Sequence, residues 1–234
     1  MKQKLQDHPI FTEAFKTTLD LQEDARFLLL AGKCTCQGKE VLFKTYAWLG
    51  KFCAFMEQLK YAAGMLSKYR GSAASSGATR YDHIQYAVEN FYMRYPSALD
   101  RALRAVNEAF GLGFKPRECR YDNVTNSPGV KGTSVAAALA DIHATTKKYK
   151  DERDIIAHYG NYEDDTLRAI GAYCIARKID PPEFSKWDAH SKTMADSYVK
   201  EKKREFYEDI AVLEKFLCIF FDALSTKISG SQNS

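Results

Sequence analysis

The sequence lacks the patterns that mark several common classes of protein. It contains no G-x-G-x-x-G pattern, no P-loop and no internal repeat, and no stretch is rich in strand-forming residues. Its six cysteines are scattered, and the close pair Cys34 and Cys36 has no second pair at the spacing of zinc ligands. We therefore expect no cofactor and no metal centre.

Long hydrophobic runs and a secretion signal are also missing from the sequence. Apolar runs such as 216-FLCIFF-221 are far shorter than the roughly 20 residues that cross a bilayer. The first residues are polar and charged, so no signal peptide is visible. A hydrophobic fraction of 45% and a charged fraction of 27% are typical of globular proteins. We expect a cytoplasmic protein with free thiols and no membrane partner.

What the sequence does contain is helical periodicity over most of its length. Apolar residues recur every three or four positions, which predicts helices with one buried face. The last such series begins near Ser185 and extends toward Leu224, about 40 residues, which predicts a long C-terminal helix. We therefore expect an all-α fold, built as a helical bundle.

The domain boundaries follow from where this periodicity stops. Residues 113–133 form the longest stretch without it and contain several glycines and prolines, so a long loop is predicted there. Residues 229–234 are small and polar, and we expect a disordered tail. Residues 1–228 are predicted to form a single helical domain.

One predicted helix combines an apolar stripe with a charged side chain. It starts near Ser134 and runs to about His158, and its inward positions step by three and four from Val135 to Tyr149. The same stepping places Arg153 on this face. A guanidinium on an apolar face must be paired or must line a crevice, because burying it alone is costly.

The segment 150-KDERDIIAHYGNY-162 carries the candidate catalytic residues. Asp154 and His158 are four residues apart on one helical face, so the carboxylate is predicted to orient the imidazole. Arg153 and His158 are five apart and diverge by about 140° on an ideal helix. Gly160 would let the helix unwind near His158, so that both side chains reach one phosphate.

This segment resembles the signature of the HEPN superfamily, which is R-x4–6-H with a polar residue often following the arginine. The residues 153-RDIIAH-158 are similar to that signature, and 158-HYGNY-162 is similar to the exit segment of several prokaryotic members. The toxin subgroup often shows R-x4-H-x-Y, whereas here Tyr159 follows His158 directly and Tyr162 stands four residues beyond it. The resemblance implies an all-α HEPN-like bundle.

The resemblance also implies a function. Many members are metal-independent endoribonucleases of toxin–antitoxin and antiviral defence systems, and they act as homodimers with a composite site. For this chain it implies that Arg153, His158 and Asp154 cleave RNA by attack of the 2′-hydroxyl, leaving a 2′,3′-cyclic phosphate. An inhibitory antitoxin or another defence partner would then be expected. The predicted RNA-binding residues flank the motif, and they are Lys147, Lys150, Tyr159 and Tyr162.

Two other interpretations remain open. The chain could be a HEPN-like module without catalysis that binds RNA, a nucleotide or a protein. It could also be an unrelated helical protein in which Arg153 pairs locally with Asp154 and His158 only ends a helix. The R-x4-H spacing by itself does not decide among them, since it arises readily by chance.

Overall fold

The computed structural model describes residues 8–10, 37–69 and 78–230. Within these ranges the chain forms helices and no strand, so the predicted all-α fold is confirmed. The α-helices are α1 (Gln37–Met65), α2 (Arg80–Arg94), α3 (Ser97–Ala109), α4 (Tyr121–Thr125), α5 (Ser134–Thr146), α6 (Lys150–Tyr159), α7 (Asp165–Ile179), α8 (Pro181–Phe184) and α9 (Asp188–Gly230). Two 3-10 turns, Lys147–Tyr149 and Ser185–Trp187, precede α6 and α9.

The long C-terminal helix is confirmed as α9, which has 43 residues. It reaches Gly230 and therefore includes the first two residues of the predicted tail. Residues 231–234 of that tail, and the cysteines Cys34 and Cys36, lie outside the described residues.

The chain divides into two compact units. The first comprises residues 1–56, 97–147 and 212–234, and the second comprises residues 57–96 and 148–211. A single domain over residues 1–228 remains a prediction from the sequence.

The first unit is held together by small and aromatic side chains. Helix α3 packs along α5, and both helices bury alanines, such as Ala102 and Ala138, whose small side chains allow close packing. Phe52 on α1 meets Phe221 on α9 edge to face, with ring centroids 5.5 Å apart.

The predicted loop 113–133 is partly wrong, because it contains helix α4 and packs into the first unit. Val124 and Val130 are fully buried. The side-chain amide of Asn107 accepts a hydrogen bond from the backbone N–H of Phe114 at 2.9 Å and donates one to its carbonyl at 3.2 Å. A helix of five residues is too short to show a period, which is why the sequence pattern did not reveal it.

The second unit is built around aromatic rings. Phe91 on α2 and Phe206 on α9 are stacked, with centroids 3.7 Å apart and planes 6° apart. The ring of Tyr149 meets Phe91 edge to face at 5.8 Å and is 2% exposed. Helices α6 and α7 both pack against α2. This arrangement positions the helix that carries the R-x4-H segment.

Local capping explains where the helices of this unit begin. Thr79 accepts a hydrogen bond from the backbone N–H of Asp82, whose carboxylate accepts one from the N–H of Thr79, so α2 starts with a capping box. Asp164 caps α7 by accepting a hydrogen bond from the backbone N–H of Leu167 at 2.8 Å.

Candidate active site

Helix α6 displays the R-x4-H segment on the surface of the second unit. None of its ten residues is buried. Arg153 and His158 are exposed, and Asp154 is half-buried. Both proposed catalytic side chains are therefore accessible to a large polyanionic ligand.

The prediction that Arg153 continues the inward apolar stripe is wrong. The preceding helix α5 ends at Thr146, and the 3-10 turn Lys147–Tyr149 separates it from α6. A 3-10 turn has about 3.0 residues per turn instead of 3.6, so it changes the phase of the stripe. As a result the partly buried positions of α6 include Glu152 and Ile156, and Arg153 turns outward.

The predicted contact between Asp154 and His158 is not formed. In the part of the chain that the structure describes, neither side chain has a hydrogen bond or an ion pair, and the same is true of Arg153. All three polar groups are therefore left to solvent or to a ligand. Asp154 has no observed orienting role in this state.

Helix α6 also does not unwind at His158, as the sequence analysis had expected. It continues through Tyr159 and ends at Gly160, whose φ is 93°. The backbone N–H of Gly160 donates to the carbonyl of Ile156 at 3.0 Å, which closes the last turn. Five residues apart on a regular helix, Arg153 and His158 diverge by about 140°. One copy of α6 does not direct both side chains toward a single phosphate.

The four predicted RNA-binding residues fall into two groups. Lys147 and Lys150 are exposed, and Tyr159 is 84% exposed. Tyr162 is half-buried, its ring lies 4.8 Å from that of Tyr92, and its hydroxyl donates to Asp164 at 3.2 Å. The ring and hydroxyl of Tyr162 are thus engaged within the unit, whereas Tyr159 is open to solvent, and a role for Tyr162 in RNA binding stays a prediction.

The N-terminal end of α6 is attached to α9 by polar contacts, of which those of Tyr149 are partly buried. The hydroxyl of Tyr149 donates to the carboxylate of Glu205 at 2.8 Å and also contacts the carboxylate of Asp209. The ammonium group of Lys148 donates to the same Asp209 at 2.7 Å. The positive charge of Lys148 thus balances carboxylate charge, and the hydroxyl of Tyr149 supplies a hydrogen-bond donor.

The C-terminal end of α6 is attached through a third carboxylate. Asp164 accepts hydrogen bonds from the hydroxyls of Tyr162 and Tyr198, the latter at 2.8 Å. The backbone N–H of Tyr162 donates to Glu89 on α2 at 2.9 Å, and its carbonyl accepts from Gln85 at 3.2 Å. The segment after α6 is therefore fixed to both α2 and α9.

Contacts between these phenols and carboxylates shift the pKa values of both. Burial, together with the hydrogen bonds to Asp209 and Glu205, raises the pKa of Tyr149 well above its ordinary value. Burial alone would raise the pKa of Glu205, but the hydrogen bond from Tyr149 and the charges of Lys202 and Lys148 outweigh it and lower that pKa. At neutral pH the phenol is protonated and Glu205 is ionised.

Comparison with known families identifies this helical arrangement. A family model described as HEPN_Cthe2314-like HEPN matches residues 51–224, about three quarters of the chain. The chain belongs to the HEPN superfamily. No curated protein and no solved structure matches the chain significantly. The matched range contains the whole R-x4-H segment.

A cleft of about 600 Å³ is a second feature of the HEPN domain. It lies within the second unit, and apolar and aromatic side chains such as Tyr69, Ile170 and Ala195 line it. Its cationic lining residues are Arg80, Arg177, Lys178 and Lys192. Its volume falls within the range of small-molecule sites, and this lining favours an anionic ligand with an apolar part.

The carboxylates near the HEPN cleft already have partners. Asp188 contacts the guanidinium of Arg177 and the hydroxyl of Tyr173, and Asp196 contacts the guanidinium of Arg80. Lys178 and Lys192 are exposed and make no ion pair with any residue in the described ranges. These two lysines are thus the cations available to a ligand.

The sequence analysis missed both the cleft and the polar contacts that fix α6. For the polar contacts a signal was present, because Tyr198, Lys202, Glu205 and Asp209 follow one another at spacings of four, three and four on α9. Such spacing predicts one helical face. A stripe of alternating phenol, cation and carboxylate on a long helix indicates a buried polar network. No single spacing reveals the cleft, since its residues come from α2, α7, α8 and α9 and from the chain at positions 69 and 78–79.

Two further searches concern membranes and metals. None of the helices within the described ranges has both the length and the hydrophobicity needed to span a membrane. Among the same residues no three histidine, cysteine, aspartate or glutamate side chains come together as metal ligands.

Proposed function

We propose that this HEPN protein is a metal-independent endoribonuclease that uses Arg153 and His158. The observation that carries the proposal is their place in the chain: an R-x4-H segment on an exposed helix of a HEPN domain. Both side chains are exposed, and neither is engaged by another described residue. Their polar groups are therefore accessible to a phosphate.

The residue types are suited to cleavage of RNA. The 2′-oxygen forms a bond to phosphorus as its proton leaves, and the bond from phosphorus to the 5′-oxygen breaks as that oxygen gains a proton. An imidazole performs such proton transfers near neutral pH. A guanidinium holds the non-bridging oxygens through paired hydrogen bonds. The products are a 2′,3′-cyclic phosphate and a 5′-hydroxyl.

We further propose that the site is composite and forms in a homodimer. Arg153 and His158 diverge on a regular helix. One copy can therefore direct either its arginine or its histidine at a given phosphate, but not both at once. Two copies of α6 facing one cleft would supply all four groups. Lys147, Lys150 and Tyr159 would then contact the RNA backbone and bases, with the cations making binding dependent on salt.

Cleavage of a defined RNA in the presence of EDTA tests this function. Wild-type protein is expected to produce fragments that end in a 2′,3′-cyclic phosphate, and His158→Ala is expected to lose this activity. His190→Ala is the matched control, because His190 is also an exposed histidine on a helix of the second unit. Equal cleavage by His158→Ala and wild type would remove His158 from the mechanism.

A biological role in toxin–antitoxin or antiviral defence systems of the cytoplasm belongs to the same proposal. An endoribonuclease of this kind requires restraint by an antitoxin or another defence partner. Expression of the wild-type protein in a bacterial host is expected to slow growth, whereas expression of His158→Ala is not. Equal growth with both proteins would argue against a toxic ribonuclease.

The basic cleft favours a second candidate function, a HEPN-like module that binds RNA, a nucleotide or a protein without cleaving it. This function predicts no cleavage but salt-sensitive binding of a nucleotide such as AMP. Lys192→Ala would weaken that binding, whereas Lys200→Ala, an exposed lysine on the same helix, would not. Cleavage that requires His158, together with no binding of AMP, would exclude this alternative.

A further inference from the structure

Helix α6 packs against α2 through half-buried side chains and is held by polar contacts at its two ends. None of its own residues is fully buried, so the packing along its length is shallow. The residues on either side are different: Tyr149, just before it, is 2% exposed, and Tyr162, just after it, is half-buried. These two tyrosines therefore add a fixed point at each end of α6 to its packing against α2.

The two tyrosines belong to one connected series of polar contacts. Tyr149 donates to Glu205 at 2.8 Å, and the ammonium group of Lys202 lies 3.4 Å from the other oxygen of that carboxylate. Lys202 also donates to the hydroxyl of Tyr92 at 3.0 Å. The ammonium group of Lys202 also lies 5.9 Å from the centre of the Tyr162 ring, and the rings of Tyr92 and Tyr162 meet edge to face at 4.8 Å, which completes the connection between the two ends of α6.

The contacts of this series resist deformation. Its phenols and charged groups lie in a partly buried, aromatic environment, where hydrogen bonds to ionised groups are stronger than in water. Removing one member leaves a charge without its partner and disturbs its neighbours. The series is anchored on α9 and α2, which form the aromatic core of the unit. The rigid core therefore restrains both ends of α6.

We propose that Tyr149 and Tyr162 are positioning residues, which hold α6 so that Arg153 and His158 keep a fixed place relative to bound RNA. This inference rests on the proposed ribonuclease function, but its physical content is the anchoring of α6. Catalytic groups must be held to within a fraction of an ångström, and an error of about 1 Å costs on the order of 100-fold in rate.

The test compares Tyr149→Phe and Tyr162→Phe with Tyr95→Phe. Tyr95 is a fully buried phenol of the same aromatic cluster, but it donates only to the backbone carbonyl of Asp209, at 3.1 Å. Cleavage of RNA is measured at saturating and limiting substrate, and backbone amide hydrogen exchange is followed over residues 150–159.

Tyr149→Phe and Tyr162→Phe are each expected to lower kcat about tenfold or more while KM changes less than twofold. The amides of α6 should exchange faster in these variants, with exchange in α2 unchanged. Tyr95→Phe is expected to keep the wild-type kcat and the wild-type exchange in α6. An unchanged kcat in both variants, or an equal loss in Tyr95→Phe, overturns the inference.

Failure of the proposed function is recognisable separately. If wild-type protein cleaves no RNA, that function is wrong, and hydrogen exchange alone then decides the anchoring. Faster exchange confined to residues 150–159 in Tyr149→Phe supports it. Unchanged exchange, or faster exchange throughout the second unit, rejects it.

Discussion

Tyr149 donates a hydrogen bond to the carboxylate of Glu205 across 2.8 Å, although the two residues lie 56 positions apart in the chain. The contact joins the turn before α6 to the middle of α9. It connects the surface helix that carries the R-x4-H segment to the aromatic core of its unit. Stability, acidity and the proposed activity should therefore respond to changes at this contact.

Tyr149→Phe is expected to change the alkaline stability of the protein. The raised pKa keeps Tyr149 protonated in the folded state, whereas an unfolded tyrosine ionises near its ordinary value of 10.0. The stabilising contribution is thus complete below pH 10 and is lost as pH rises above it. The slope of the free energy of unfolding against pH there should be smaller in the variant by up to about 1.4 kcal/mol per pH unit.

Urea denaturation at a series of alkaline pH values measures this slope. At neutral pH the same variant should lose about 1.5–3 kcal/mol, because a hydrogen bond to a charged group is removed. An identical alkaline slope in Tyr149→Phe and wild type would mean that Tyr149 ionises in the folded protein as it does in the unfolded chain.

Arg153→Ala should abolish most activity without destabilising the protein. Removing a group that stabilises charge in the transition state costs on the order of 100-fold or more in kcat. Because Arg153 is exposed and unpaired among the described residues, the free energy of unfolding should change by less than about 0.5 kcal/mol. Arg153→Lys should recover only part of the rate, since an ammonium group lacks the planar fork of the guanidinium.

Arg204→Ala is the matched control for that substitution. Arg204 is an exposed arginine on α9, with a side chain that is 72% exposed. It is expected to leave the cleavage rate near that of wild type. Equal losses of rate at both positions would indicate that general positive charge, and not Arg153 itself, supports the reaction.

Mixing two inactive variants tests the composite site. If Arg153 of one copy acts with His158 of the other, a dimer of Arg153→Ala with His158→Ala contains one complete pair. The mixture should then regain a measurable fraction of wild-type cleavage, whereas each variant alone stays inactive. Absence of recovery, with exchange of subunits verified by a labelled copy, would contradict a site shared between copies.

Asp164→Ala should destabilise the protein by about 2–4 kcal/mol, since it removes a helix cap and two hydrogen bonds from phenols. Its carboxylate accepts from the backbone N–H of Leu167 and from the hydroxyls of Tyr162 and Tyr198. Thermal and urea unfolding measure the loss. Asp165→Ala is the control: its side chain is 98% exposed, so it should cost less than about 0.5 kcal/mol. Similar losses at both positions would show that the contacts of Asp164 add nothing beyond surface charge.

The candidate site was only partly predictable from the sequence. The R-x4-H segment and the helix end at Gly160 follow from local rules, because helix termination depends on a few neighbouring residues. The direction in which the side chain of Arg153 points does not follow from such local rules. A stripe that steps by three or four permits either Glu152 or Arg153 after Tyr149, and the 3-10 turn selects Glu152.

The sequence by itself determined the all-α class, the long helix α9 and the position of the R-x4-H segment at the end of a helix, since these depend on periodicity and capping within one stretch of chain. The tertiary structure alone decided that Arg153 is exposed and that Tyr162 lies against Tyr92. It also joined Tyr149 to Glu205, because contacts between residues far apart in the chain depend on how separate helices pack.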